Sequence, residues 1–180
     1  MDATEMNISP VPKLSNALVK ECLQKASEST RRRYPKIMHQ PGDEYNQVFN
    51  FMMEDTYMQP HMHPGIEKIE KMYLVLGSFA VLFFNETGCV EKISVLKVGG
   101  CDYIEIPAFT WHTYIMLEYN VITYETMMGK FNPKTWKTLS NWSPDENTSE
   151  GKTYLASLRM QVLEVTKNAD IVGNKNKTVG

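Results

Sequence analysis

The chain has 180 residues, of which 42% are hydrophobic and 22% charged, and its formal net charge at pH 7 is -2. This length fits one domain with a substantial core. The near balance of 19 basic and 21 acidic side chains excludes a strongly basic surface, so we expect neither nucleic acid nor a membrane as a partner.

The cellular compartment is indicated by what the sequence lacks. The N-terminal residues do not show the basic and then apolar pattern of a secretory signal. The longest apolar stretch, residues 72–84, is too short for a transmembrane helix, which needs about 20 residues. Three cysteines without a Cys-x-x-Cys pair argue against a disulfide framework. We therefore expect a cytoplasmic protein with reduced thiols.

The first element in chain order is a helix predicted over residues 15–29. Leu14, Leu18, Cys22 and Ala26 recur at every fourth position, and Ser15 is a suitable N-cap. We expect residues 1–40 to form a helical extension that packs on the domain that follows.

Residues 41–130 change to the period of β-strands. Runs rich in β-branched and aromatic residues cover 47–53, 57–59, 70–76, 79–85, 90–98, 103–106, 112–117 and 121–128. Proline and glycine turn signals separate them, among them Pro60, Gly77 and Pro107. Many short strands with no helix between them predict a β-sandwich or β-barrel.

The last part of the chain returns to a helical pattern. A second helix is predicted over 152–165, with Leu155, Leu158, Val162 and Leu163 on one face. We assign 131–167 to a C-terminal extension that contains this helix. Residues 168–180 are polar, and we expect them to form a disordered tail.

Two of the four histidines stand two residues apart, at His61 and His63. Residues two apart on a strand project from the same face, so both imidazoles could reach one metal ion. Tyr57 and Gln59 have the same parity and are predicted to line the same cavity. Two histidines in a proline-flanked surface loop would be the alternative.

Glu70 begins an apolar strand that closes at Gly77. A buried carboxylate is costly unless a cation compensates it, which favours a role as a metal ligand. A solvated glutamate at the end of a strand is the alternative, and Glu67 competes for the same role. Counting back from Gly77 favours Glu70.

His112 begins the strand that follows the turn at Pro107, where its ring could lie at the mouth of a barrel opposite the first pair. By itself it could equally be a packed histidine. His39 lies in a predicted loop, and we do not assign it as a ligand.

The spacing of these residues resembles the two motifs of the cupins. The first motif of the cupins has the order His-x-His, Glu, Gly, which is found here at His61, His63, Glu70 and Gly77. The second motif has a proline five residues before a histidine, which is found here at Pro107 and His112. The segments 31–39, 57–64, 106–113, 131–133 and 141–144 are similar to WbuC-type cupin metalloproteins, and the resemblance covers roughly 15–158. It implies a mainly β, single-domain jelly roll (double-stranded β-helix) with N-terminal and C-terminal helices. It also implies a metal site of His61, His63, Glu70 and His112, and a role in bacterial surface-polysaccharide (O-antigen) biosynthesis.

Further residues are candidates for contact with a substrate. Arg33, with its two arginine neighbours, could bind a phosphate or carboxylate, or could belong to a solvated basic turn. Tyr114 is predicted from strand parity to line the pocket. Phe109 stands where many cupins have glycine, and we expect it to narrow the pocket mouth.

Three imidazoles and one carboxylate would accept one divalent ion of iron, manganese, nickel, cobalt or zinc. A six-coordinate ion bound by these four side chains would keep two coordination positions open for a further ligand. On a tetrahedral zinc ion, the four side chains would occupy every position. We favour a metal-dependent enzyme that acts on a small, carbohydrate-type molecule. The alternatives are a non-catalytic ligand-binding or sensor module, a metal-dependent dioxygenase, and a structural ion. An exposed edge at 47–53 would favour a homodimer.

Overall fold

The computed structural model describes residues 10–175, and the side chains of residues 10–167. Two helices and ten strands lie in this range. They are α1 (Asn16–Glu28), β1 (Arg33–Ile37), β2 (Tyr45–Met53), β3 (His61–Met62), β4 (Glu70–Leu76), β5 (Ser78–Phe84), β6 (Val90–Lys97), β7 (Tyr103–Ile106), β8 (His112–Met116), β9 (Asn120–Met128), β10 (Thr138–Leu139) and α2 (Ser149–Lys175).

The strands form two antiparallel sheets of five strands each. Sheet A has the order β1-β2-β9-β4-β7, and sheet B has the order β10-β3-β8-β5-β6. The chain passes repeatedly from one sheet to the other: β4 belongs to sheet A, β5 and β6 to sheet B, β7 to sheet A, β8 to sheet B and β9 to sheet A. This topology confirms the predicted mainly β jelly roll with a helix near each end.

Three hydrophobic clusters hold the layers together. The first lies between the sheets and joins residues of sheet A, such as Met52 and Met72, to residues of sheet B, such as Phe79 and Met116. The second packs sheet B against α2, and the third packs sheet A against α1. Each helix thus buries the outer face of one sheet.

Helix α1 follows the prediction closely. The Ser15 side chain accepts a hydrogen bond from the backbone N–H of Leu18 at 3.2 Å and caps the helix. Cys22 and Ala26 are buried against sheet A. The four-residue spacing of apolar side chains therefore selects the face that packs.

Strand β2 is not an edge. It pairs with β1 on one side and with β9 on the other, so the prediction that residues 47–53 form an exposed edge is wrong. The physical reason is that residues 33–37, which we assigned to the helical extension, form a strand that pairs with β2 and covers it. Strand β10 was not predicted either. Residues 57–59 belong to no strand, since the prolines around the histidine pair leave only His61 and Met62 in the β3 ladder.

Helix α2 is longer than predicted. It begins at Ser149 and continues to Lys175, past the boundary that we placed at residue 167. Leu155, Leu158 and Val162 are buried as predicted, whereas Leu163 is 40% exposed. The predicted tail beyond Lys175 lies outside the described residues. Over the described part of the chain, neither helix combines the length and the apolar character that a membrane span requires.

Candidate metal centre

The fold brings His61, His63, Glu70 and His112 together from both sheets. His61 and His112 are paired residues of β3 and β8 in sheet B, while Glu70 is the first residue of β4 in sheet A. All four side chains are buried, and their candidate ligand atoms lie within 4.8 Å of one another. The sequence therefore predicted a set of residues that converge at one point between the sheets.

The orientation of the three imidazole rings is fixed by one shared contact. In each ring, Nδ1 lies within hydrogen-bond distance of a main-chain carbonyl oxygen. The pairs are His61 with Gln59 at 3.0 Å, His63 with Trp136 at 2.8 Å, and His112 with Thr110 at 2.8 Å. A carbonyl oxygen only accepts, so Nδ1 must carry the hydrogen, and in the neutral ring Nε2 presents its lone pair to the cluster.

The carboxylate of Glu70 has one satisfied oxygen and one unsatisfied oxygen. Oε1 accepts a hydrogen bond from the Tyr114 hydroxyl at 2.5 Å. Oε2 lies 3.2 Å from Nε2 of His112 and 3.4 Å from Nε2 of His63, but neither approach has hydrogen-bond geometry. Among the described residues, Glu70 Oε2 and His112 Nε2 thus remain buried without a partner. Buried polar atoms without partners are rare because they cost free energy.

Three of the four side chains have pKa values shifted by burial and by their neighbours. Burial alone would raise the pKa of Glu70, but its contacts with His112 and His63 outweigh burial and hold that pKa well below the usual range. Burial, assisted by the nearby His112 and Lys137, keeps the pKa of His61 well below its usual value. Burial opposes the charged form of His63 as well, but the contact with Glu70 prevails and raises its pKa.

These features together fit a divalent metal ion. A transition metal contacts nitrogen and oxygen ligands at about 2.0–2.2 Å, so ligands on opposite sides of one ion lie about 4.2 Å apart. The four candidate atoms lie within 4.8 Å of one another, and Glu70 Oε2 lies 3.2 Å and 3.4 Å from the Nε2 atoms of His112 and His63. Metal-binding histidines almost always donate their other ring N–H to a carbonyl or carboxylate, as all three do here. The cluster could therefore hold one ion with little rearrangement.

A cavity of about 250 Å³ opens on this cluster. Its lining includes His61, His63 and Glu70, so a small molecule in the cavity would lie beside the cluster. Tyr114 and Arg33, two of the predicted contact residues, also line it. A separate cavity of about 460 Å³ near the start of α2 contains no member of the cluster.

The other predicted contact residues lie elsewhere. Tyr57 donates a hydrogen bond to the carbonyl oxygen of Pro144 at 2.8 Å and lines the separate cavity. Gln59 donates from its side chain to the carbonyl oxygen of Ser140 at 3.0 Å. The parity argument fails for both because residues 57–59 are not in a strand. Phe109 is 56% exposed and does not line the cavity, although its backbone N–H donates to the carbonyl oxygen of His63.

Of the two candidate glutamates, Glu67 and Glu70, only Glu70 lies in the cluster with the histidines. Glu67 is exposed, and its carboxylate lies against the backbone of Gly65 rather than in the cluster. His39 also lies outside the cluster, where its Nδ1 contacts the backbone N–H of Gln47. Glu70 is therefore the carboxylate that the fold brings to the three histidines.

Two charged residues of the cavity were not found from the sequence. Glu125 accepts a hydrogen bond from the Asn50 side chain at 2.8 Å, and burial, together with the charge of Glu70, raises its pKa to about 7. Lys137 precedes β10, and burial lowers its pKa. Glu125 had the same signal as Glu70, a carboxylate within an apolar strand. Lys137 had no local signal.

Comparison with known proteins gives a family model and several structural neighbours. A model described as a domain of unknown function, DUF6016, matches residues 14–96. No curated protein matches the chain. The chain is similar in structure to protein SO0799 from Shewanella oneidensis, with a TM-score of 0.52 and 8% identity over 70% of this chain and 85% of that chain.

Two further neighbours are CapF and an oxalate decarboxylase, OxdC, from Bacillus subtilis. Their TM-scores are 0.48 and 0.45, and their identities 15% and 14%. Each match covers 59% of this chain and 34% or 32% of the neighbour, so this chain spans about a third of their length. The chain therefore shares its fold of two packed β-sheets with protein SO0799. Fold similarity at this level of identity does not carry an activity.

Proposed function

We propose that the chain is a metal-dependent cupin in which His61, His63, Glu70 and His112 bind one divalent transition-metal ion. The observation that carries the proposal is the approach of Glu70 Oε2 to His112 Nε2 at 3.2 Å, with both atoms buried and neither hydrogen-bonded. A cation between these two atoms would give both of them a partner. A water molecule or a neighbouring side chain in the same place would have to fit among the four converging side chains.

The surrounding residues would fix the ligands in place. The carbonyl oxygens that accept from each Nδ1 hold the rings, and the Tyr114 hydroxyl holds the carboxylate of Glu70. A bound divalent ion would act as a Lewis acid toward an oxygen of the substrate. Because His61, His63 and Glu70 also line the cavity, a molecule bound there would be positioned next to the ion.

We further propose that the ligand is a carbohydrate-type small molecule and that the protein acts in surface-polysaccharide biosynthesis as an enzyme. Two observations support this proposal. The sequence segments named above follow one another in the order that is similar to WbuC-type cupins, and the cavity has a suitable size. A volume of about 250 Å³ is that of about eight water molecules in the liquid, enough for a compact monosaccharide. The ion itself would be one of iron, manganese, nickel, cobalt and zinc, all of which accept this ligand set.

The decisive experiment is anaerobic purification followed by reconstitution with each of these five metals and elemental analysis. We expect close to one ion per chain for at least one metal. Glu70→Gln and His112→Ala should reduce the content strongly, whereas Glu67→Gln and His39→Ala, matched controls outside the cluster, should retain it. Circular dichroism would verify that each variant is folded. Failure to bind any of the five metals, or full occupancy after His61 and His63 are both replaced by alanine, would refute the proposal.

We also propose that the protein is a cytoplasmic homodimer. The free edges of the described sheets are β1 and β7 in sheet A, and β10 and β6 in sheet B. Unpaired edges can pair with a second chain, and a two-fold dimer would cover one edge of each subunit. Size-exclusion chromatography with light scattering would test this: a monomer at micromolar concentration would contradict it.

A further inference from the structure

The wall of the metal-site cavity carries three basic side chains, Arg31, Arg33 and Lys137. The two arginines are already engaged. Arg33 donates to both carboxylate oxygens of Glu146 at 2.7 Å, and Nε of Arg31 lies 3.3 Å from the same carboxylate. Glu146 therefore holds both guanidinium groups, and their main effect is to brace the wall.

Lys137 differs from the arginines because its charge is not paired. It lines the same cavity, is half-buried, and makes no hydrogen bond or ion pair with any residue that the structure describes. Burial lowers the pKa of Lys137 and outweighs the charge of Glu146, which raises it, and the two nearby arginines lower it further. An ammonium group that is partly desolvated and unpaired is costly, so this position favours a negatively charged partner.

The position of Lys137 relative to the metal centre is set by the backbone. It follows Trp136, whose carbonyl oxygen accepts from Nδ1 of His63 at 2.8 Å, and it precedes β10, which pairs with β3. Its charge also contributes to lowering the pKa of His61. The side chain of Lys137 thus lines the same cavity as His61 and His63, and its charge acts on His61.

The carboxylates of the cavity leave this cation available. Glu70 faces the histidines, and Glu125 is bound by Asn50 on the side of sheet A. Burial and the charge of Glu70 raise the pKa of Glu125. A divalent ion at the cluster would add further positive charge. The complete site would therefore attract an anion rather than a neutral molecule.

We infer that the cavity binds a small organic anion, with one end of the molecule at the metal ion and its carboxylate or phosphate group at the ammonium group of Lys137. This inference rests on the proposed metal site and narrows its substrate class. Within the volume of about 250 Å³, sugar acids and sugar phosphates fit the chemistry, and uncharged sugars leave Lys137 unpaired. Glu125 would contact the polar middle of the molecule.

The test is calorimetric titration of the metal-loaded protein with five probes: inorganic phosphate, glycolate, glucuronate, glucose 6-phosphate and neutral glucose. We expect at least one anion to bind more tightly than glucose. Because a charge-assisted hydrogen bond contributes about 1.5–3 kcal/mol, Lys137→Gln should weaken that anion about 10-fold to 100-fold. Lys137→Arg, which keeps the charge, should restore part of the affinity. The preference for glucuronate or for glucose 6-phosphate would identify the anionic group.

The matched control is Lys134→Gln, an exposed lysine of the same segment that does not line the cavity. It should bind the probes as the unmodified protein does, and both lysine variants should keep full metal content. A metal-loaded protein that binds no anion better than glucose, or that binds anions equally well after Lys137→Gln, would overturn this inference and leave the metal site standing. A protein without metal in any reconstitution would overturn both.

Discussion

The hydroxyl of Tyr114 donates a 2.5 Å hydrogen bond to Oε1 of Glu70, which links β8 of one sheet to β4 of the other. Burial, with the charge of Glu70 beside it, raises the pKa of Tyr114 well above its ordinary value, so the phenol remains a donor. With Oε1 held in this way, Oε2 faces His112 and His63. One side chain thus sets the direction in which the carboxylate presents its free oxygen.

The first prediction concerns that hydrogen bond. Tyr114→Phe removes the donor and leaves the ring in place, so the fold should persist while the carboxylate loses its orientation. Changes of this kind next to a metal ligand weaken binding about 10-fold to 100-fold. Competition with a chromophoric chelator would measure the change. The matched control is Tyr103→Phe, which removes an exposed tyrosine contact with Glu105 on β7 and should leave metal affinity unchanged. Equal affinities for the two variants would contradict the role of Tyr114.

The second prediction is a pH dependence of metal binding. Glu70 raises the pKa of His63 in the metal-free protein, despite burial, so this ring binds a proton that an ion must displace. Metal affinity should therefore fall as the pH falls through the pKa of His63, and binding should release protons. Titrations between about pH 5 and 8, in buffers of different ionisation enthalpy, would measure both effects. An affinity that does not vary over this range, with no proton release, would be inconsistent with the prediction.

The third prediction concerns Phe109, where the backbone has a φ of 59°. Side chains other than glycine are strained in this left-handed region of the backbone. The comparison of Phe109→Gly with Phe109→Ala isolates the backbone. We expect the glycine variant to have the higher free energy of unfolding, by about 1 kcal/mol, in urea denaturation. An alanine variant that is as stable as the glycine variant would show that the position carries no strain.

The fourth prediction concerns the pair of Arg33 and Glu146, which joins the start of β1 to the segment before α2. The Arg33 side chain is 7% exposed and that of Glu146 is 19% exposed. Arg33→Ala would leave a mostly buried carboxylate without its main partner, and we expect a loss of about 3 kcal/mol in the free energy of unfolding. Lys71→Ala, which removes an exposed ion pair with Glu105, is the control and should change stability little. Thermal or urea unfolding would compare them, and a similar small loss for both variants would be evidence against a structural role for the buried pair.

Local sequence patterns were sufficient for the parts of the fold that depend on short-range order. The four-residue spacing in α1 and its cap at Ser15 predicted both the helix and its buried face, because helical period and capping act within a few residues. Strands β4 and β7 begin and end where their turn signals placed them. The four residues of the buried histidine and glutamate cluster could be named for the same reason, since each stands next to a turn or a strand end.

The sequence by itself determined the fold class and the residues His61, His63, Glu70 and His112. Only the tertiary structure decided what surrounds them. Three features depend on contacts between segments that are distant in the sequence. Strand β1 covers β2, Lys137 lines the same cavity as the histidines, and Glu125 lies in the wall of that cavity. Such contacts are fixed by the packing of two sheets and not by local period. A spacing in the chain can therefore name the residues that converge, but the charges around them are set by packing.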